Sequence, residues 1–407
     1  MGRYGLVGRH LGHSYSPAIH GYFGTYPYDL IELEPDALES FLRYGDWSGL
    51  NVTIPYKKTA AALCHTLSPM AQRLGSVNTL VRRPDGTIFG DNTDAFGFRQ
   101  MALRLGVDYS GKKALVLGSG GASVTVQAIL GELGAAVTVI SRSGENNYTN
   151  LSRHMDAAII VNTTPVGMYP NNGAAPLSLD IFPKIEAVLD LVYNPARTAL
   201  ILEAEKRGIA CTSGLYMLVA QAALASQHFT GRTISPEMIG EVWTKLTMDT
   251  ENLILIGMPG CGKSTIGRLL ARILNRPFWD ADDEIEKCCG RSAGTYIQQF
   301  GESAFRQLET DVLRRLGAMS GAVIATGGGC VTREGNHPLL RQNGRILWLQ
   351  RALGDLSREG RPLSQAAGVS TLYRVRKPLY QAFSQFTVSN DGSPEETVKT
   401  ILEVIRP

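Results

Sequence analysis

GMPGCGKST, Gly257 to Thr265, leaves the apolar run LILI, Leu253 to Ile256, and enters TIGRLLARIL, Thr265 to Leu274. A short buried strand, a glycine-rich turn ending in Lys-Ser and a helix together make the P-loop arrangement. Backbone amides of such a loop cradle phosphates, the lysine neutralises their charge and the hydroxyl can ligate Mg²⁺. Gly257, Gly260, Cys261, Gly262, Lys263, Ser264 and Thr265 are therefore candidate ATP contacts, with Lys263 catalytic and Ser264 a metal ligand. The domain built around this stretch is predicted to be α/β with a central parallel sheet.

A loop of different design lies upstream. GSGGAS, Gly118 to Ser123, follows the apolar run Ala114 to Leu117 and opens a helix predicted over Gly121 to Leu133. Gly118 and Gly120 fill the first two positions of a dinucleotide fingerprint, while Ser123 stands at the third. Pyrophosphate contacts are expected from Gly118, Ser119, Gly120, Gly121 and Ala122. The next predicted strand, Ala136 to Ile140, ends in Ser141, Arg142 and Ser143, with no acidic residue to take a ribose hydroxyl. Arg142 instead offers a guanidinium where a 2′-phosphate would lie, which favours NADP over NAD.

Strands are further predicted at Ala157 to Val161 and Ala187 to Leu191, completing a Rossmann sheet from about residue 98 to 215. A smaller α/β segment, 1–97, precedes it, and the Ala-rich helix Tyr216 to Phe229 is predicted to pass back to that segment. The polar run Thr244 to Asn252 breaks the pattern, giving expected domains at 1–246 (substrate-binding 1–97 and about 216–246) and 253–407, joined by a linker at 247–252.

The net charge of +3 carries no long basic block, which disfavours nucleic-acid partners and suits anionic small molecules. Six cysteines without a CxxC pair or zinc-like spacing read as reduced thiols. No apolar leader or membrane-length run is present, so the expected location is cytoplasmic, with no membrane partner.

The first half resembles the shikimate dehydrogenase family through five stretches in family order: GLVGRHLGHSYSPAIH (5–20), NVTIPYK (51–57), SVNT (76–79), NTD (92–94) and NTTPVGM (162–168). The resemblance implies NADPH-dependent reduction of 3-dehydroshikimate, with Lys57 and Asp94 as the catalytic pair. Ser14 and Ser16, at i and i+2 of an expected extended stretch, would point two hydroxyls at a substrate carboxylate. Thr53, Asn78, Asn92, Tyr193 and Gln221 match further substrate contacts. Asn162, Thr164, Met168, Gly214 and Met217 fall on the cofactor side. Arg9 and His10 depart from the family's usual opening turn.

The second half resembles shikimate kinase through FWDADDEIE (278–286), FGESAFRQLE (300–309), ATGGGC (325–330) and RKPLY (376–380). The resemblance implies that Arg306 and Arg376 bind the shikimate carboxylate, that Gly328 and Gly329 present backbone amides, and that Asp282 holds the acceptor hydroxyl. Asp280 would support Mg²⁺ with Ser264. Arg361 would be a lid arginine that is both catalytic and ATP-binding, with Arg358 a secondary contact and Asn390 and Asp391 near the adenine. Together the resemblances imply a bifunctional enzyme using NADP(H), ATP and Mg²⁺. A quinate dehydrogenase in the first half and a non-catalytic metabolite-sensing regulator are the alternatives.

Overall fold

The computed structural model describes residues 2–12, 14–24, 26–356 and 368–405. The chain divides into two compact units: Met1–Val166, Ala175–Tyr193 and Glu203–Leu246 form the first, and Gly167–Ala174, Asn194–Leu202 and Thr247–Pro407 the second. The units are thus interleaved in sequence, which a reading along the chain has no means to detect.

The first unit holds two sheets. β1 (Tyr4–Gly8), β2 (Tyr28–Glu32), β3 (Gly49–Val52), β4 (Thr66–Leu67), β5 (Thr79–Arg82) and β6 (Ile88–Asp91) form the first, ordered β2-β1-β3-β5-β6-β4. It is mixed: β5 runs antiparallel to both β3 and β6. This brings Asn51 opposite Thr79, and Thr79 opposite Asp91.

The second sheet is wholly parallel. β7 (Lys113–Leu117), β8 (Ala136–Ile140), β9 (Ile159–Asn162), β10 (Ala187–Asp190) and β11 (Ala210–Ser213) are ordered β11-β10-β9-β7-β8. The central strands β9 and β10 are buried at every position, the continuous burial expected where helices cover both faces. Helices Thr93–Arg104 and Leu215–Thr230 pack closely: a Cβ on Gly97 would lie 2.6 Å from the Met217 carbonyl oxygen.

The two units divide between Leu246 and Thr247, at the expected boundary, but the stretch 247–252 is not irregular: a helix runs to Thr250 and a strand starts at Asn252. Helix Pro236–Thr250 continues through the polar run, because Ile239, Val242 and Leu246 keep a buried apolar face at helical spacing whatever the polar residues between them.

In the second unit β12 (Asn252–Ile256), β13 (Phe278–Asp280), β14 (Val323–Ala325), β15 (Gly344–Gln350) and β16 (Phe386–Ser389) form a parallel sheet ordered β13-β14-β12-β15-β16. Central β12 is fully buried and delivers the chain to Gly257. Among the described residues no helix is long and apolar enough to cross a membrane.

Candidate active sites

In the first unit a polar network gathers where β3, β5 and β6 meet helix Thr93–Arg104. Lys57 opens the helix Lys57–Ala62, and its Nζ lies 2.5 Å from Asp94 Oδ2. Asn78 organises the other side of that carboxylate. Its Nδ2 donates to Asp94 Oδ1 at 2.9 Å and to Gln221 Oε1 at 3.3 Å, while its Oδ1 accepts from the Thr93 amide at 2.7 Å. The acceptor thus meets the positive end of the helix and the donor meets the carboxylate, so one amide fixes the acid's orientation.

The network reaches residues that the sequence reading did not assign. Thr79 and Thr93 share a hydroxyl contact of 3.1 Å, and Asn51 Nδ2 donates to Thr79 Oγ1 at 3.1 Å. Tyr28 in turn donates to Asn51 Oδ1 at 2.7 Å. Burial, with Tyr26 nearby, pushes the Tyr28 phenol well above its usual range, while hydrogen bonding to Ser16 opposes the shift. The visible signal was position: Asn51 and Thr93 lie inside the stretches already singled out.

Ser14 and Ser16 do not lie on an extended stretch. Tyr15 is in the right-handed helical region and Ser16 begins helix Ser16–Phe23, so the i, i+2 argument fails. The turn instead brings the Ser16 amide within 3.2 Å of Ser14 Oγ. Pro17 directly after Ser16 favours a helix start, which overrides the extended reading. The Tyr193 ring packs 5.6 Å from Tyr15, between the two serines in sequence. Thr53 donates its amide to the Val7 carbonyl, at the end of β1.

Asn92 is committed on the donor side of its amide. Its Nδ2 is spent on Ser76 O and Oγ, and its buried Oδ1 has no hydrogen-bond partner among the described residues. Gln221 is likewise tied down, donating to Leu218 O at 2.9 Å. Beside Asn92, Asp91 accepts from His228 Nε2 at 2.8 Å and from Ser68. Burial raises the Asp91 carboxyl, but these bonds and the Asn92 amide prevail and hold it below the usual carboxylate range.

On the cofactor side, Gly118 directly follows β7 with φ +104, and a Cβ there would lie 2.9 Å from Thr163 Oγ1. Only glycine suits this turn, which lets the chain enter helix Gly121–Glu132 capped by Gly120. Ser119, Gly121 and Ala122 remain exposed at that N-terminus, while Ser123 is buried and accepts from Gln127. Arg142 is exposed beyond β8, between Ser141 and Ser143. Burial raises the nearby Tyr148 phenol, and the Arg142 charge opposes it.

Asn162 is a structural hub: it donates to Asp190 at 2.9 Å and accepts from the Thr164 hydroxyl at 2.7 Å. Gly214 caps helix Leu215–Thr230 and approaches Leu191 so closely that any side chain would strike its carbonyl; Met217 lies in that helix's first turn. Met168 groups with the second unit rather than the first.

The second unit encloses a cavity of about 930 Å³ lined by the P-loop, Asp282, Arg306, Glu309, Gly327 to Gly329 and Arg376. Gly257, Gly260 and Gly262 all have positive φ, and a Cβ on Gly257 would lie 2.5 Å from Leu349 O. Lys263 is buried and donates to Gly257 O and Met258 O at 3.0 Å each. Cys261 is fully buried and accepts from Asn390 through its carbonyl at 2.7 Å, while Thr265 is exposed at the cavity wall.

Ser264 Oγ lies 2.6 Å from Asp280 Oδ2, and Asp280 caps helix Ala281–Cys289 by accepting from the Asp282 amide. A hydroxyl and a carboxylate converging beside the phosphate loop are hard oxygen donors of the type Mg²⁺ takes, so the residues fit that ion. Asp282 Oδ1 and Glu309 Oε1 lie 2.7 and 2.9 Å from where a Cβ on Gly327 would stand, so only glycine leaves room.

Arg306 is buried and pairs with Glu309 at 2.9 Å and Glu302 at 3.2 Å. Burial raises the Glu309 carboxyl even with Arg306 beside it. Any side chain on Gly329 would collide with the Arg306 guanidinium, and Arg376 donates to Gly328 O at 3.0 Å. Arg358 and Arg361 lie outside the described residues.

Taken together, a glycine-turned parallel sheet behind a Lys-Asp pair and a P-loop facing paired arginines define a two-unit α/β enzyme, an oxidoreductase joined to a phosphotransferase. The shikimate dehydrogenase substrate-binding-domain model matches residues 6–80, and the shikimate kinase model matches 259–406.

Shikimate dehydrogenase (NADP(+)) of Shouchella clausii is 35% identical over 257 residues, covering 56% of this chain and 93% of the relative. A chorismate mutase/shikimate 5-dehydrogenase fusion protein from Clostridium acetobutylicum has TM-score 0.57 and 34% identity, covering 60% of this chain and 97% of that one. Shikimate 5-dehydrogenase from Thermus thermophilus, solved in complex with NADP(H) and shikimate, has TM-score 0.55 and 34% identity, covering 60% and 99%. The chain belongs to the shikimate dehydrogenase family and carries a shikimate kinase domain behind it, making it a bifunctional shikimate-pathway enzyme.

Proposed function

We propose that the first unit reduces 3-dehydroshikimate to shikimate and that the second phosphorylates shikimate at its 3-hydroxyl. The observation that carries the first step is the 2.5 Å Lys57–Asp94 pair oriented by Asn78. NADPH supplies the hydride. Lys57 Nζ gives a proton to the alkoxide that develops on the reduced carbonyl, and Asp94 holds the adjoining hydroxyl and keeps the ammonium in place. Ser14 and Ser16 hold the carboxylate, Thr53, Asn78, Gln221 and Tyr193 shape the pocket, and Asn92 acts indirectly by fixing the turn into Asp94. Arg142, flanked by Ser141 and Ser143, selects the 2′-phosphate. The loop Gly118 to Ala122 takes the pyrophosphate, with Asn162, Thr164, Gly214 and Met217 of the same unit toward the nicotinamide.

For the second step, Arg306 and Arg376 clamp the shikimate carboxylate, with Gly328 and Gly329 presenting backbone to it. Asp282 accepts the proton of the attacking hydroxyl. The loop Gly257 to Thr265 cradles ATP, and Lys263 leaves its two carbonyl partners for the phosphates. Ser264 and Asp280 would hold Mg²⁺, which supplies charge neutralisation. Arg361 is assigned to the phosphates by resemblance. Purified protein given 3-dehydroshikimate with NADPH, and separately shikimate with ATP and Mg²⁺, is expected to turn over both; failure of either removes that half of the reading.

A further inference from the structure

Three guanidinium groups line the 930 Å³ cavity: those of Arg306, Arg351 and Arg376. Arg306 is paired with two glutamates and Arg376 is bonded to Gly328 O. Arg351 has no hydrogen bond or ion pair among the described residues, although its Nε is buried. The Asp391 carboxylate is an electrostatic neighbour, and the guanidinium, with Nη1 toward the P-loop, lines the cavity where an anionic ligand would meet it.

The backbone around Arg351 is held on both sides. Gln350 is paired with Ser389 in the sheet, and the Ala352 amide donates to Asp391 Oδ1 at 2.7 Å. Position relative to the P-loop then decides which ligand it meets. From the Cβ position of Gly262, Asn390 Nδ2 is 2.6 Å and Arg351 Nη1 3.9 Å away. The acceptor residues approach the loop elsewhere: a Cβ on Gly328 would lie 2.6 Å from Pro259 Cδ, and Arg376 bonds that same glycine. Arg351 therefore lies on the Cys261–Gly262 side of the loop, away from the carboxylate clamp.

We propose that Arg351 is a nucleotide-affinity residue of the kinase site, donating to a phosphate oxygen near the ribose end that ATP and its product ADP share. The inference rests on the ATP-site reading above and adds to it a residue outside the P-loop and the lid. Because that contact exists equally before and after transfer, it governs nucleotide binding rather than the chemical step.

The test uses the full chain, with ADP binding by titration calorimetry and steady-state phosphorylation of shikimate, for wild type, Arg351→Met and Arg351→Lys. Loss of one charge-assisted bond predicts about tenfold weaker ADP binding and an ATP KM about tenfold higher in Arg351→Met. Shikimate KM and kcat should stay within about twofold, and Arg351→Lys should fall between. Wild-type ADP affinity in Arg351→Met, or a raised shikimate KM with ATP KM unchanged, overturns the proposal.

Should Arg351→Met lose its cooperative melting transition, the lysine variant decides alone: intermediate affinity supports the proposal and wild-type affinity refutes it. A wild-type chain that binds ADP without phosphorylating shikimate would sink the kinase reading while this binding test still stands. One that does not bind ADP would sink both.

Discussion

Replacing Lys57 by Met removes the ammonium and keeps most of the stem. The Lys57 and Asp94 side chains are 31% and 20% exposed, so the lost ion pair costs about 0–1 kcal/mol of stability after solvent screening. The catalytic loss is far larger. Removing a positioned general acid costs about 10²- to 10⁴-fold in rate, or about 3–5 kcal/mol in the barrier. The variant should therefore melt within about 4 °C of wild type while its kcat/KM for 3-dehydroshikimate drops at least hundredfold. The assay is NADPH oxidation, with shikimate phosphorylation by the same sample as a control for concentration and folding. A reductase loss under tenfold would refute the acid role. Loss of both activities together would refute the independence of the two sites.

Lys263→Met should do the converse, abolishing phosphorylation and sparing reduction, as read by the same paired assay. Arg142→Ala should raise the NADPH KM about tenfold or more and leave the NADH KM nearly unchanged, since a charge-assisted bond to the 2′-phosphate is lost; equal effects on both cofactors would contradict the assignment. Gly118→Ala should weaken NADPH binding, because φ +104 and the close Thr163 hydroxyl leave no place for a methyl group; unchanged affinity by fluorescence titration would argue against it. Within the second unit, burial pushes the Glu251 carboxyl up, but Arg197 at 2.7 Å and Arg345 at 2.5 Å prevail and hold it below its usual value. A depressed folded-state value stabilises above the unfolded value of 4.5 and is lost as pH falls through the folded value. Glu251→Ala should cost about 3–5 kcal/mol near neutral pH and flatten the acid limb of stability, measured by denaturant titration across pH.

The two loops were legible because strand, glycine turn and helix are local in sequence. Lys57 and Asp94 could be paired only through family resemblance, since they stand 37 positions apart and the antiparallel placement of β5 between β3 and β6 brings them together. The same topology hid the chain Tyr28–Asn51–Thr79–Thr93, whose members look like ordinary strand and turn residues until the register is known. The backbone at Tyr15 and Ser16 is helical rather than extended because Pro17 favours a helix start. The helix to Thr250 is obscured in sequence by its polar residues, although Ile239, Val242 and Leu246 keep helical spacing. Arg351 carried no sequence signal at all; its place on the cavity wall beside Gly262 emerges only from the fold.

The most direct measurement of the central claim places one purified chain with 3-dehydroshikimate, NADPH, ATP and Mg²⁺ and follows products by mass spectrometry. Shikimate should appear first and shikimate 3-phosphate should accumulate at its expense, with NADPH and ATP consumed one for one at completion. Accumulation of shikimate without its phosphate, or no reduction while added shikimate is still phosphorylated, would contradict the account.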